Sequence, residues 1–183
     1  MRRPKRHTSS CLGEAQSCIL RLASNVRLHM KLRRGVPTDI PALDHIAVAA
    51  KAHWGYSAQQ LALWSEDLAV SMESLHLRPV CVAEVDNTII GFAQVATDVQ
   101  PWELWAMWVH PSQMGKGIGK TLLEWAREFA AAGGQAELAV DSDPHAEGFY
   151  KALGARVVGT VAAPIAGNPE RVRPQLRLST GAA

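Results

Sequence analysis

Three glycines at alternate positions, Gly115, Gly117 and Gly119, with Lys116 and Lys120 beside them, form the stretch of this chain best suited to holding a phosphate. They follow a β-rich run from Glu103 to Val109 and a turn at His110-Pro111. They open a helical pattern that puts Ile118, Leu122, Trp125, Ala126 and Phe129 on one face. Glycine lets the backbone approach an anion closely, successive N–H groups point into the concavity, and the four unpaired N–H donors of a helix start add partial positive charge. A strand that feeds such a loop into a helix reads as a phosphate cradle ahead of a flexible connector.

Spacing narrows the ligand. The loop is GxGxG, whereas a dinucleotide-binding fingerprint needs GxGxxG and an acid about twenty residues further on. Gly119-Lys120-Thr121 is a literal GKT, and Leu138 to Asp141 resembles the strand that carries a magnesium-binding acid. Yet the first glycine of a P-loop should stand at 114, where the residue is Met114. A loop one residue short loses an N–H from the cradle, which ranks a P-loop phosphotransferase behind.

The segment VHPSQMGKGIGKTLLEWA resembles the acyl-CoA-binding motif of the GNAT superfamily of N-acetyltransferases, R/Q-x-x-G-x-G/A, with Met114 in the R/Q position and Gly117 and Gly119 in the small ones. A second stretch, Asp143 to Ala155, is similar to the family's later N-x-x-A-x-x-F-Y-x-x-x-G-F helix, with His145 near the usual Asn and Ala155 replacing the Phe. The resemblance runs from about Leu32 to Leu178. It implies an α/β (α+β) fold with a mixed, mostly antiparallel sheet, splayed between strands 4 and 5 and with helices on both faces. It also implies an acetyl-CoA-dependent enzyme that transfers acetyl directly to a primary amine, on a small molecule or a peptide, with no metal. A catalytically silent acyl-CoA-binding module would keep the glycine loop but not need the acid and base below.

Acetylation of an amine must first remove a proton: with a pKa near 10.4, roughly one lysine-like amine in two thousand is neutral at pH 7, about 4 to 5 kcal/mol uphill. A general base supplies that step. By resemblance the base is Glu103, six residues before Val109, the offset at which some family members place a catalytic glutamate; a solvated strand-end acid is the alternative. The resemblance assigns Tyr150 as the general acid for the departing thiolate, and a backbone N–H near Trp108 or Val109 as donor to the thioester oxygen. It places Trp108, Val109, His110, Gly115, Lys116, Gly117, Ile118, Gly119, Lys120 and His145 against the cofactor. Trp54 and Tyr56, in the loop bordering the acceptor pocket, could stack on substrate or cover the core.

The elements that position these groups are read from periodicity and turn chemistry. Strands are expected at Lys31 to Arg34, Val80 to Val85, Thr88 to Thr97, Glu103 to Val109, Glu137 to Asp141, Arg156 to Val161 and Val172 to Leu178. Asp86-Asn87 is a hairpin turn, and Pro174 suits an edge or a bulge. Thr38-Asp39 should cap a helix through Ile40 to Ala47, and Ser57 with Gln60 a second one through Leu61, Trp64, Leu68 and Met72, with Trp64 in the core. Gly133-Gly134 stops the helix behind the glycine loop, and a last helix spans His145 to Leu153. Glu84, beside the hairpin turn, reads as solvated.

The 183 residues and 48% hydrophobic content suffice for one domain. Residues 1–29 lack a sustained period and the apolar core of a secretory signal. Rich in Arg and Ser, they look like a transit peptide, but the duller reading, a disordered or mis-started basic extension, is preferred because Met30 falls just before the first strand. The domain is then 30–183. Cys11, Cys18 and Cys81 form no disulfide or zinc framework, so a reducing, cytoplasmic setting is expected, and no run is long and apolar enough for a membrane helix. From residue 35 onward, ten basic residues face sixteen acidic ones, a net −6. An acidic domain argues against nucleic acid and suits a cationic amine. A homodimer is compatible with the resemblance.

Overall fold

The structure, a computed structural model, describes residues 30–181; the expectation for residues 1–29 lies outside that range. Among the described residues, seven strands form one sheet in the order β1-β2-β3-β4-β5-β7-β6. They are β1 (Lys31–Arg34), β2 (Val80–Val85), β3 (Thr88–Ala96), β4 (Glu103–Val109), β5 (Glu137–Asp141), β6 (Arg156–Ala162) and β7 (Val172–Ser179). The helices are α1 (Ile40–His53), α2 (Ala58–Leu63), α3 (Ser65–Leu68), α4 (Met72–Leu77), α5 (Ile118–Ala132) and α6 (Glu147–Ala152).

All neighbours are antiparallel except β4 and β5, which run parallel and pair at two positions, Glu103 with Ala139 and Leu104 with Val140. Beyond Leu104 the two strands part. On its other edge β4 pairs with β3 as far as Val109 opposite Gly91, and Trp105 is the extra residue of a bulge between the pairs Val95 with Leu104 and Gln94 with Ala106. A bulge bends its strand and increases local twist, which turns β4 away from β5. The sheet is thus split along the edge from Trp105 to Val109.

Alternation along the strands builds a core on each face. Cys81, Ala83, Ala93, Val95, Leu138 and Val140 pack against Leu122, Leu123, Ala126 and Ala130 of α5, while Val80, Val82 and Phe92 pack against Leu43, Ile46 and Ala47 of α1. Leu122 and Leu123 are 0% and 1% exposed, so truncating either to Ala should cost about 2–5 kcal/mol. The hairpin turn is of the expected kind, with φ of +49° at Asp86 and +60° at Asn87.

Several local expectations are corrected. The second helix is broken into α2, α3 and α4: Ser57 does cap α2, accepting from the Gln60 N–H at 3.1 Å, but Ser71 starts a new helix by accepting from Ser74. The Val70 N–H between them donates to Asp44 of α1 at 2.8 Å. Asp39 does not cap α1; its carboxylate accepts from the Val36 N–H upstream and pairs bidentately with Arg33. Glu84 is not solvated, because Arg33 reaches it at 2.8 Å and leaves its side chain 13% exposed. Pro174 lies in β7, an inner strand between β5 and β6, one residue past the last β5 partner, where its carbonyl still accepts from Ser142 at 2.9 Å. The His145 helix begins as a single 3-10 turn, Pro144–Ala146, and α6 itself starts at Glu147.

Candidate active site

The split between β4 and β5 opens a cleft of about 370 Å³, lined on one wall by Leu104 to Val109 and on the other by Asp141, Ser142, Asp143, Phe149 and Tyr150. The glycine loop closes one end. Gly115 and Gly117 take φ of +76° and +85°, values that only glycine adopts without strain, and Gly117 as N-cap of α5 has no side chain to satisfy the helix start. The first helical amide bond is Thr121 N–H to the Gly117 carbonyl, so the N–H groups ahead of it face outward as an anion site. A Cβ on Gly117 would meet nothing within 4 Å, whereas one on Gly119 would meet the Phe149 ring at 3.3 Å. The cradle therefore fits a phosphate, and its second small residue is needed for the contact with α6.

The Thr121 hydroxyl bonds the Gly117 carbonyl at 3.3 Å, and Asp141 is paired with Arg173 at 2.7 Å. Both groups that a P-loop would turn towards magnesium are thus engaged within the chain. Of the candidate cofactor contacts, Trp108, Val109, Gly115, Gly117, Gly119, Lys120 and His145 line the cleft. Ile118 is 5% exposed in the core and offers only its backbone. Lys116 hydrogen-bonds Gln113 at 3.0 Å and is exposed. His110 lies over a different hollow with His45, their rings 6.1 Å apart, and its Nδ1 meets the Ser112 hydroxyl at 2.8 Å. The His110 N–H donates to the Ile90 carbonyl, so alternation along the strand aims the Val109 N–H, not that of Trp108, at the open edge.

Tyr150 is 7% exposed and lines the cleft, and burial pushes its phenol well above the ordinary range. Its hydroxyl has no hydrogen-bond partner among the described residues. Glu103 stands at the closed end, where β4 still pairs with β5, and is not part of the cleft wall. Burial and the nearby Asp141 carboxylate raise its pKa, against the pull of Arg78, Arg177 and Arg173.

The far end of the cleft holds a polar knot that no local sequence pattern marks. Asp143 accepts from Lys51 at 2.5 Å, the Tyr56 hydroxyl at 2.9 Å, Arg171 at 3.3 Å and the His145 N–H at 3.0 Å. It ties α1, the α1–α2 loop, the β6–β7 connection and the turn into α6 together. Burial pushes the Asp143 carboxyl up, but these donors outweigh it and hold it below the usual range. Tyr56 therefore bonds the knot. Trp64 is half-buried, not core: it stands edge-on to Tyr56 at 4.9 Å, with Lys51 Nζ 4.6 Å from its ring centre. Trp54 lines the cleft and stacks flat on His145 at 5.3 Å. Lys51 and Arg171 lie 92 and 28 residues from Asp143, and no local pattern links them.

Among the described residues no helix is long and apolar enough to cross a membrane, and no three His, Cys, Asp or Glu side chains are grouped as a metal site. Residues 76–154 match the model of the acetyltransferase (GNAT) domain. None of the curated proteins compared with the chain matches it. Among solved structures, a GCN5-related N-acetyltransferase from Rhodopseudomonas palustris is similar at 23% identity and TM-score 0.70, covering 81% of this chain and 94% of that one. The PaiA N-acetyltransferase from Thermoplasma acidophilum, solved with coenzyme A, is similar at 20% identity and TM-score 0.68, covering 82% and 98%. The ribosomal-protein-S18-alanine N-acetyltransferase from Escherichia coli is similar at 18% identity and TM-score 0.64, covering 84% and 96%. At these identities the likeness is one of fold.

Proposed function

We propose that the chain, whose residues 76–154 match the acetyltransferase (GNAT) domain and whose fold is shared with GNAT N-acetyltransferases, moves an acetyl group from acetyl-CoA to a primary amine by direct transfer within the split between β4 and β5. The observation that carries this reading is the cleft itself, with an uncapped helix start at one end and Tyr150 in its wall. The N–H groups from Gly117 to Lys120 would hold the pyrophosphate, with Lys120 adding charge. Acetyl-CoA supplies the activated acyl group. The Val109 N–H would donate to the thioester oxygen as negative charge grows there.

In the transfer, the amine nitrogen forms the new bond to the acyl carbon and the carbon–sulfur bond breaks. The amine's proton passes to Glu103, through water because Glu103 lies behind the cleft wall, and Tyr150 gives its proton to the leaving sulfur. Holding both substrates in one cleft supplies much of the acceleration. The relatives support an amine acceptor by their names alone: one acetylates the alanine of a ribosomal protein. Thiol release from acetyl-CoA, measured with and without a mixed panel of amines, tests the reading. Amine-dependent thiol release with a mass gain of one acetyl group on the amine is the expected result. Tight CoA binding with no turnover on any amine would replace it by a silent acyl-CoA-binding module.

A further inference from the structure

The end of the cleft away from the glycine loop is aromatic, and most of its acid oxygens are already paired. Trp105, the bulge residue, lines it and is 48% exposed. One face of its ring carries the Arg78 guanidinium at 3.7 Å, which Asp98 holds from behind at 3.2 Å. No other ring or cation packs on it among the described residues. Trp54, on the other side, is held flat by His145. Of the two carboxylates in this wall, Asp143 is committed to Lys51 and Arg171, whereas Asp141 gives one oxygen to Arg173 and its Oδ1 is buried without a hydrogen-bond partner. Glu103, two residues before Trp105, is the nearby acid without a hydrogen bond or ion pair among the described residues.

Charges decide what such a wall accepts. A polyamine or an aminoglycoside brings several ammonium groups, each of which must be matched on leaving water. Here a second or third ammonium would have to displace Lys51 or Arg171, both under 10% exposed, from their counter-ion. A single ammonium needs only the unpartnered Asp141 Oδ1. Resting on the acetyl-transfer reading, we infer that the acceptor is a monoamine with a planar, aromatic body that stacks on the free face of Trp105, and that Trp105 sets this preference. Arg78 fixes the ring from one side, so the stacking surface is pre-organised.

The test uses the full chain and thiol release from saturating acetyl-CoA, with tryptamine and phenethylamine set against butylamine, spermidine and kanamycin. The two aromatic amines should give kcat/KM values about tenfold or more above the others. Trp105→Ala should raise KM for tryptamine roughly three- to tenfold while acetyl-CoA affinity by calorimetry stays unchanged, and Trp105→Phe should restore most of the loss. Preference for spermidine, kanamycin or butylamine overturns the inference and leaves acetyl transfer standing, as does an unchanged KM in Trp105→Ala. If no amine in the panel is acetylated although CoA binds, the transfer reading falls and this one falls with it.

Discussion

Tyr150 keeps its proton throughout the range in which amines are acetylated, because burial without a compensating partner disfavours the phenolate. Such a group can deliver a proton to a leaving thiolate but cannot serve as the base. Tyr150→Phe should therefore lower kcat about a hundredfold or more, with acetyl-CoA affinity by calorimetry close to wild type, since in the proposed reading the backbone of the loop holds the cofactor. As the proposed base, Glu103 would act at the opposite end of the pH range. Its raised pKa means that its ionised form is lost, as pH falls, earlier than for an ordinary glutamate, so if it is the base the acid limb of kcat should be displaced upward. Glu103→Gln should remove that limb, lower turnover most near neutral pH, and recover part of it at high pH, where the amine deprotonates unaided. The sign for stability is opposite. A carboxyl whose folded pKa is raised costs stability once ionised, so Glu103→Gln should be no less stable than wild type at pH 7 in urea. An unchanged pH–rate profile would move the base to another group or to solvent.

The glycine loop and the Asp143 knot act as units. Gly117 combines a left-handed φ with open space at its missing Cβ, so Gly117→Val imposes backbone strain of about 1–2 kcal/mol and puts a branched side chain where the anion would sit. Acetyl-CoA binding by calorimetry should be lost while the circular dichroism spectrum is retained. Asp143→Ala leaves Lys51 and Arg171 buried against each other without a counter-ion, which should cost about 3–5 kcal/mol in urea unfolding. Because donors hold the Asp143 carboxyl below its ordinary value, its contribution is in place at neutral pH and is lost only as the pH falls through that lowered value. The wild type should therefore lose stability below about pH 4 by more than the variant does. Equal losses would show that the knot carries no net stabilisation.

Among the described residues, 30–181, the seven strands form one sheet with a core on each face, and Met30 already packs on the α5 side. A protein beginning at Met30 is expected to fold and to bind acetyl-CoA with unchanged affinity; insolubility or loss of binding would assign residues 1–29 to the domain. The alternation of apolar residues in β2 to β5, the Asp86-Asn87 turn and the glycine spacing ahead of α5 were readable because each is a local signal, written within a few residues of where it acts. Trp64 and Asp39 were misread for the converse reason. A tryptophan at helical spacing looks like core, and an aspartate before a helix looks like a cap, until Lys51 or Arg33 arrives from another element. The Asp143 knot joins four elements across up to 115 residues, and the cleft opens where a bulge at Trp105 turns β4 from β5 after two paired positions. Local chemistry thus wrote the strands, the turn and the cradle into the order of residues. The side chains that share the far end of the cleft, and which strand edge is left open, follow from long-range packing, where partners distant in sequence compete for the same buried charge and the same strand edge.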